Sequence, residues 1–191
     1  SGGGSIDMAN SVTGAYNLTG LSGNDTLKGN GTADIITGGG GLDIIDGRGG
    51  DDQINAGSGD DTIIVSTAGA GNNDSVDGGS GDDTLQLSSG SHTISTDGYL
   101  QSVETVTLNS SGTTVDLTGQ TEGFTITGGA GADIITAGSG DDIITGAGGA
   151  DIITGAGGAD TISLGNSDSA SDTVFFSSSS GMDLSLIHIS E

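Results

Sequence analysis

Cysteine, proline and tryptophan are absent from this 191-residue chain, and Lys28 and Arg48 are its only lysine and arginine. Without cysteine, neither a disulfide nor a thiolate metal site can form. Two basic residues are too few for a nucleic-acid surface, and an anionic membrane would repel a chain of formal charge -24. No apolar run approaches the roughly 18 residues of a membrane span. The sequence therefore predicts no nucleic-acid partner and no membrane span, and its acidity indicates cationic partners.

Large apolar side chains are also scarce, since hydrophobic residues make up 31% of the chain and aromatic residues 3%. The chain instead contains 40 glycines. Glycine loses the most backbone freedom on folding, and few bulky side chains are present to offset that loss. The first residues, which do not include a leading Met, lack the basic and apolar regions of a signal peptide. We therefore expect a piece of a longer protein that is either disordered or held by something besides a conventional core.

A nine-residue repeat accounts for most of the chain. Three consecutive copies read GNGTADIIT, GGGGLDIID and GRGGDDQIN from Gly29 onward. Each copy combines a glycine-rich turn, an Asp at the sixth position and an aliphatic residue at the eighth. The sixth-position acids are Asp25, Asp34, Asp43, Asp52, Asp61, Asp74, Asp83, Asp133, Asp142, Asp151, Asp160 and Asp172.

The eighth-position aliphatic residues continue where the aspartates stop. They form three series with a spacing of nine: Leu18, Leu27, Ile36, Ile45, Ile54 and Ile63; Val76, Leu85, Ile94 and Val103; and Leu108, Leu117, Ile126, Ile135, Ile144, Ile153 and Ile162. This pattern predicts one continuous solenoid with two shifts of register, at residues 65–68 and between Val103 and Leu108.

The chemistry of each position predicts the fold. Glycine permits a tight turn, and the last three residues of each copy extend as a strand with alternating side-chain directions. Two copies then make one coil of 18 residues, with a strand on each side and the eighth-position residues between two parallel sheets. The expected fold class is all-β, a right-handed parallel β-roll or β-solenoid of 18-residue coils.

Stacked carboxylates indicate a metal. Residues 18 apart lie on the same edge, which places Asp25, Asp43 and Asp61 in one column, Asp34 and Asp52 in a second, Asp133 over Asp151, and Asp142 over Asp160. Carboxylates stacked at about 5 Å repel each other unless a cation lies between them. Carboxylates and turn carbonyls are oxygen ligands of the kind that Ca²⁺ prefers, whereas Mg²⁺ demands tighter octahedral geometry. Zn²⁺ has only His92 and His188 as nitrogen ligands.

The copies Gly78–Gln86 and Gly128–Thr136 follow the pattern GGxGxDxUx almost unaltered and resemble the repeat of the RTX family, the hemolysin-type calcium-binding repeats. The resemblance implies a Ca²⁺-binding β-roll within a large bacterial protein, exported by a type I system and folding outside the cell, at the cell surface or in the medium. It implies that the sixth-position aspartates bind several calcium ions. Turn carbonyls carry over less fully, because several copies replace a glycine, as Asn30, Arg48 and Ala56 do.

The repeat divides the chain into five segments: a lead-in (1–17), a first array (18–86), a metal-poor segment (87–127), a second array (128–175) and a tail (176–191). The metal-poor segment is either a linker or, as its alternating Val106 and Leu108 favour, a metal-free part of the same coil. The tail, Leu184–Glu191 above all, is either a capping strand or sequence foreign to the protein.

Other acids and outward side chains have plainer interpretations. The fifth-position acids Asp51, Asp60, Asp82 and Asp141 are expected to be solvated or to support the ligands indirectly. Outward rows such as Ile134 over Ile152 are ordinary strand surface or contact a neighbouring chain. His92 and His188 are expected to have structural or surface roles.

The leading functional hypothesis is a calcium-binding module that is disordered at low calcium and folds outside the cell, coupled to type I secretion. The alternative is a structural or adhesive solenoid of a surface-layer or adhesin protein, stiffened by calcium and acting through lateral self-association or cell-surface contacts. No catalytic constellation is present, so we expect no enzyme activity from this chain.

Overall fold

The computed structural model describes residues 2–8, 10–11, 13–66, 73–94, 96–109, 111–165 and 170–175. The tail 176–191, including His188, lies outside them, as does part of the degenerate last repeat. Within the described residues, regular structure consists of strands and one short 3-10 turn at Asp97–Tyr99, and no helix is long and apolar enough to cross a membrane.

Nineteen short strands follow one another in the part of the chain that the structure describes. They are β1 (Ser5–Asp7), β2 (Asn17–Ser22), β3 (Thr26–Lys28), β4 (Ile35–Gly40), β5 (Ile44–Arg48), β6 (Gln53–Ser58), β7 (Thr62–Val65), β8 (Ser75–Ser80), β9 (Thr84–Leu87), β10 (Gly90–Thr93), β11 (Leu100–Gln101), β12 (Thr105–Leu108), β13 (Thr113–Asp116), β14 (Thr125–Thr127), β15 (Ile134–Thr136), β16 (Ile143–Thr145), β17 (Ile152–Thr154), β18 (Thr161–Ser163) and β19 (Thr173–Phe175).

The strands belong to two compact units. Unit 1 comprises Ser1–Gln86 and Gly98–Glu104, and unit 2 comprises Leu87–Asp97 and Thr105–Glu191. Each unit is a parallel β-solenoid in which alternate strands along the chain stack in separate ladders. This arrangement confirms the expected all-β parallel β-roll.

In unit 1, β1, β3, β5, β7 and β9 stack in one ladder, and β2, β4, β6, β8 and β11 stack in the other. Leu18 pairs with Ile36 and Ile36 pairs with Ile54, so one coil takes 18 residues, as expected. Ile54 then pairs with Val76, a longer step that confirms the first predicted register shift.

In unit 2, β12, β14, β16 and β18 form one ladder, and β10, β13, β15, β17 and β19 form the other. Ile135 pairs with Ile153, and Ile126 pairs with Ile144. The ladders again place residues 18 apart side by side.

Aliphatic side chains from both ladders fill most of the interior of each unit. The predicted eighth-position residues of the two arrays, together with Ile126, are at most 6% exposed: Leu18, Leu27, Ile36, Ile45, Ile54, Ile63, Val76, Leu85, Ile126, Ile135, Ile144, Ile153 and Ile162. Because each strand contributes so few inward side chains, burial of apolar surface alone is a small stabilising force relative to the backbone entropy of the turns.

The predicted register is wrong in the metal-poor segment. Val106 pairs with Ile126 and Val115 pairs with Ile135, so they, rather than Leu108 and Leu117, continue the eighth-position line. All four side chains are buried, because alternate residues of a strand point the same way. The prediction chose the wrong one of two inward positions.

Two further residues replace the expected Ile94 and Val103. His92 pairs with Val115 in unit 2, and Leu100 pairs with Val76 in unit 1. Ile94 is only partly buried, and Val103 is buried outside any strand. The predicted inward series contained aliphatic residues alone, so it did not include the histidine that stands there.

Candidate metal centre

The sixth-position aspartates lie at the ends of the glycine-rich turns, immediately before a strand. The carboxylates follow the turn inward instead of pointing to solvent. Ten of the twelve are at most 4% exposed, and Asp74 and Asp172 are partly buried. Burial of ionised carboxylates on this scale requires compensation by hydrogen bonds or by a cation.

Each carboxylate accepts a hydrogen bond from the backbone of the preceding coil. In unit 1 the amide of Asp25 donates to Asp43 Oδ1 at 2.8 Å, and the amide of Asp43 donates to Asp61 Oδ1 at 2.7 Å. The same bond joins Asp61 to Asp83 at 2.8 Å. These contacts confirm the predicted column and extend it by one residue.

The second column of unit 1 and both columns of unit 2 repeat this bond. The donor–acceptor distances are 2.8 to 3.0 Å. The pairs, with the donor named first, are Tyr16–Asp34, Asp34–Asp52, Asp52–Asp74, Asp133–Asp151, Asp151–Asp172 and Asp142–Asp160. Asp133 and Asp142 also accept from the amides of Thr113 and Phe124, respectively. The predicted pairing of aspartates on each edge is therefore present.

The other carboxylate oxygen is the distinctive feature of the columns. Oδ2 is buried and has no hydrogen-bond partner in Asp25, Asp43, Asp52, Asp61, Asp83 and Asp142. In Asp34 and Asp133 that oxygen instead accepts the backbone amides of Asn30 and Gly129 at 2.9 and 2.8 Å. A buried acceptor without a donor is costly, so the six unpartnered oxygens call for a ligand.

Four of the six unpartnered oxygens, those of Asp25, Asp43, Asp52 and Asp83, face the first glycine of their own turn. The turns of Asp61 and Asp142 begin with Ala56 and Ala137 instead. A Cβ added to Gly38 would lie 2.5 Å from Asp43 Oδ2 and would also clash with the carbonyl oxygen of Ala56 in the next coil. At Gly20 the corresponding atoms are Asp25 Oδ2 and the carbonyl oxygen of Gly38. The first-position glycine therefore makes room for two oxygens from successive coils, which is the donor pair a bridging cation needs.

Burial raises the pKa of several of these carboxyl groups. Desolvation, opposed by the hydrogen bond from Asp34, raises the pKa of Asp52 to about 7. Desolvation likewise raises the pKa of Asp61 and of Asp142 to about 6. Neighbouring aspartates in the columns add to the rise. A cation beside these oxygens would favour the ionised form and oppose this effect.

The donor atoms fit a hard cation. Within the described residues, no group of three or more Asp, Glu, His or Cys side chains converges on one point, so a bound ion must also take backbone carbonyls. Carboxylate and carbonyl oxygens are what Ca²⁺ accepts, in numbers of six to eight and in flexible geometry. Zn²⁺ does not fit, because neither cysteine nor a histidine pair stands in the columns.

The fifth-position acids form a separate, exposed ladder. Asp60 Oδ1 accepts the amide of Asp82 at 3.0 Å, and Asp141 Oδ1 accepts the amide of Ala159 at 2.7 Å. Here the donor belongs to the following coil, so these bonds run in the direction opposite to those of the buried columns. Asp51, Asp60, Asp82 and Asp141 are all exposed, as predicted.

Sequence reasoning missed three polar residues of the turns. Glu104 closes the first column by accepting the amide of Asp83 at 2.8 Å. Asn30 and Gln120, at most 2% exposed, donate to backbone carbonyls of neighbouring turns. The sequence signal for Glu104 is that it stands two residues before the inward Val106. With Val106 at the eighth position of a repeat, Glu104 occupies the sixth.

Of the two roles predicted for His92, structural or at the surface, the structure shows the structural one. Its ring is 7% exposed, and Nε2 lies 2.8 Å from the carbonyl oxygen of Ser88. Burial lowers the pKa of its imidazole. The neutral ring therefore fills an inward position of unit 2.

A known protein family matches the chain over the same nine-residue repeats. The profile of the RTX calcium-binding nonapeptide repeat matches four stretches, 17–45, 29–63, 68–94 and 127–162. Together they cover more than half of the 191 residues. No curated protein matches the chain. The matched stretches contain the aspartates Asp25 to Asp83 and Asp133 to Asp160 of the columns described above.

Proposed function

The chain belongs to the RTX calcium-binding nonapeptide repeat family, and from this membership we propose that it is a calcium-binding β-roll module of a larger secreted bacterial protein. The module folds when it meets extracellular calcium, and this folding is coupled to export by a type I system. The sixth-position aspartates are the side-chain ligands, and turn carbonyls complete each site.

The unpartnered buried oxygens carry this proposal. Six carboxylates of the columns each present one oxygen to the interior without a donor. Beside Asp43, the carbonyl oxygen of Ala56 reaches the same pocket over Gly38. Without a cation, burying these carboxylates costs free energy, and the raised pKa values of Asp52, Asp61 and Asp142 reflect that cost.

The chain's own residues couple binding to folding. Each Asp holds its place through a bond to the preceding coil, so the oxygens come together only when two successive coils have formed. A bound calcium ion supplies the positive charge that offsets the buried carboxylates. Because the unfolded chain does not hold these oxygens together, the binding free energy becomes folding free energy.

Circular dichroism with and without calcium tests the proposal. In excess chelator the far-UV spectrum should be that of a largely unfolded chain, and calcium should restore a β spectrum. The calcium midpoint should rise when Asp43 is replaced by Ala and remain near the original value when Asp51 is replaced. Identical spectra in calcium and chelator would contradict the proposal.

A second candidate function is a structural or adhesive solenoid of a surface-layer or adhesin protein, and exposed isoleucines in unit 2 favour it. Ile134 and Ile152 pair on one face and are 42% and 37% exposed, and Ile143 on the other ladder is 54% exposed. Rows of this kind suit lateral contact with another chain. Sedimentation velocity in calcium distinguishes the two: assembly that grows with concentration supports the structural role, and a monomer at every concentration supports the solitary module.

A further inference from the structure

Arg48 stands at a turn position where the other repeats, apart from the degenerate last one, have an uncharged residue. It occupies the second position of its repeat and has φ of +70°, a conformation that favours glycine. Ala147 and Ala156 occupy the same position with φ of +74° and +69°. The Cβ of any residue other than glycine strains this conformation, and at Arg48 the side chain also makes contacts that alanine cannot make.

The guanidinium of Arg48 spans three successive strands of one ladder. One terminal nitrogen lies 2.9 Å from Asp7 on β1, and the other donates to the carbonyl oxygen of Gly29, just after β3, at 3.0 Å. Nε lies 3.9 Å from Asp46 on β5. The ladder pairs Asp7 with Lys28 and Lys28 with Asp46, so one cation joins three consecutive coils. Carboxylate and carbonyl oxygens from several coils are also the ligand set expected of calcium.

Asn30, one coil earlier, also donates hydrogen bonds to backbone carbonyls of a neighbouring turn. It is 2% exposed, and its side-chain nitrogen donates to the carbonyl oxygens of Ser11 and Gly14 at 3.2 Å each. Its backbone amide donates to Asp34 Oδ2, the oxygen that has no partner in six other aspartates. The Asn30 side chain thus binds two turn carbonyls, and its backbone binds a carboxylate oxygen whose counterparts in those six aspartates have no partner.

The two edges of unit 1 differ in this respect. We call the turns Gly20–Asn24, Gly38–Leu42, Ala56–Asp60 and Gly78–Asp82 edge one, and the turns Gly29–Ala33 and Gly47–Asp51 edge two. The second positions of edge one are Leu21, Gly39, Gly57 and Gly79, none of which has a side-chain N–H. The second positions of edge two are Asn30 and Arg48.

We propose that Arg48 and Asn30 replace one bound calcium ion at edge two, beside Asp34, so that the chain's own donors hold this position, while the unpartnered oxygens of edge one and of Asp52 still call for calcium. The inference rests on the proposed function and adds which of its sites do not need the metal. A fixed positive charge among these oxygens repels a second cation, and its hydrogen bonds occupy acceptors that the ion would use.

Counting bound calcium tests the proposal. Equilibrium dialysis of the full chain at saturating calcium should show one more ion per chain for Arg48→Gly than for the unaltered protein. Ala147→Gly makes the same backbone change at φ +74° without removing a charge, so its count should not change. Arg48→Lys keeps the charge and should also leave the count unchanged. Equal counts for Arg48→Gly and the unaltered chain would overturn the proposal.

Arg48→Ala provides a second test in case Arg48→Gly fails to fold, because alanine already occupies the same turn position at Ala147 with φ of +74°. This variant removes the guanidinium without adding the backbone freedom of glycine. It should also bind one more calcium ion per chain than the unaltered protein at saturating calcium. A count equal to that of the unaltered chain would overturn the proposal.

The two possible failures are distinguishable. If neither the unaltered chain nor Arg48→Gly binds calcium, the proposed function itself is wrong. If the unaltered chain, Arg48→Gly and Arg48→Ala bind calcium in equal number, the proposed function stands and only the role of Arg48 and Asn30 is wrong.

Discussion

Replacing Asp43 by Asn should have opposite consequences with and without calcium. Asp43 is 1% exposed, Oδ1 accepts the amide of Asp25 at 2.8 Å, and Oδ2 has no partner. Asparagine keeps the acceptor and removes the charge. Its amide nitrogen would stand where Oδ2 does, near the carbonyl oxygen of Ala56 that also reaches the space over Gly38, and would donate to it.

The expected magnitude follows from mass action. One ion bound at about a hundredfold excess over its Kd contributes about 2.7 kcal/mol to the free energy of unfolding. Loss of the Asp43 ligand should remove most of that amount in calcium. Without calcium, the weaker bond to a neutral acceptor costs about 1 kcal/mol. Relief of the buried charge opposes that cost, so the folded fraction should be equal to or above that of the unaltered chain.

Urea unfolding followed by circular dichroism measures the calcium-bound difference, and the ellipticity in chelator measures the folded fraction without calcium. Asp51→Asn is the matched control, because Asp51 is exposed and accepts only the amide of Asn73 at 3.1 Å. Its unfolding free energy should change by less than about 0.5 kcal/mol in either condition. If Asp43→Asn lost as much folded structure in chelator as in calcium, Asp43 would be a structural residue and not a ligand.

Two other predictions concern the turns and pH. Gly38→Ala should destabilise the calcium-bound form by about 1–3 kcal/mol in thermal unfolding, because the new Cβ meets backbone and carboxylate oxygens. The control Gly31→Ala should be nearly neutral, because a Cβ at Gly31 has nothing within 4 Å. Equal effects of the two substitutions would show that the space over Gly38 is not needed. Burial raises the pKa of Asp52 to about 7 and of Asp61 to about 6 from 3.8, so the folded chain holds protons that the unfolded chain has released. In chelator, the folded fraction should therefore be greatest below about pH 4 and fall as pH rises through 6 to 7, and calcium should abolish the dependence; a folded fraction that rose with pH would contradict this reasoning.

The columns of aspartates were predictable because the repeat length sets which residues lie side by side. A spacing of nine that places strands alternately in two ladders leaves Asp43 above Asp25 whatever the details of the turn. The same reasoning failed between Leu87 and Thr127, where Val106 and Leu108 both point inward and only the pairing with Ile126 distinguishes them. The two possible registers, with Val106 or Leu108 at the eighth position, differ in the geometry of the turns. The pattern of aliphatic residues contains no information about the turns.

Side-chain donors in the turns were not predictable for a different reason. Asn30 and Gln120 are polar residues in loops, and most such residues are solvated. Their burial depends on carbonyl oxygens of neighbouring coils, such as those of Ser11 and Ile94, which become close only after the coils stack. Arg48 interrupts the glycine pattern visibly, but its contact with Asp7 depends on a lead-in strand that no repeat marks.

The opposed hydrogen bonds of the two acidic ladders give the array a direction. In the buried columns a carboxylate always accepts from the coil before it, so a column cut at any point would present oxygens on one side and backbone amides on the other. The oxygen side is readily solvated or neutralised by an ion, while the amide side needs an acceptor, the part played by Glu104 beyond Asp83. Removing coils at the oxygen side would therefore leave carboxylates that water or an ion can solvate, whereas removing the segment beyond Asp83 would leave its amide without the acceptor that Glu104 supplies.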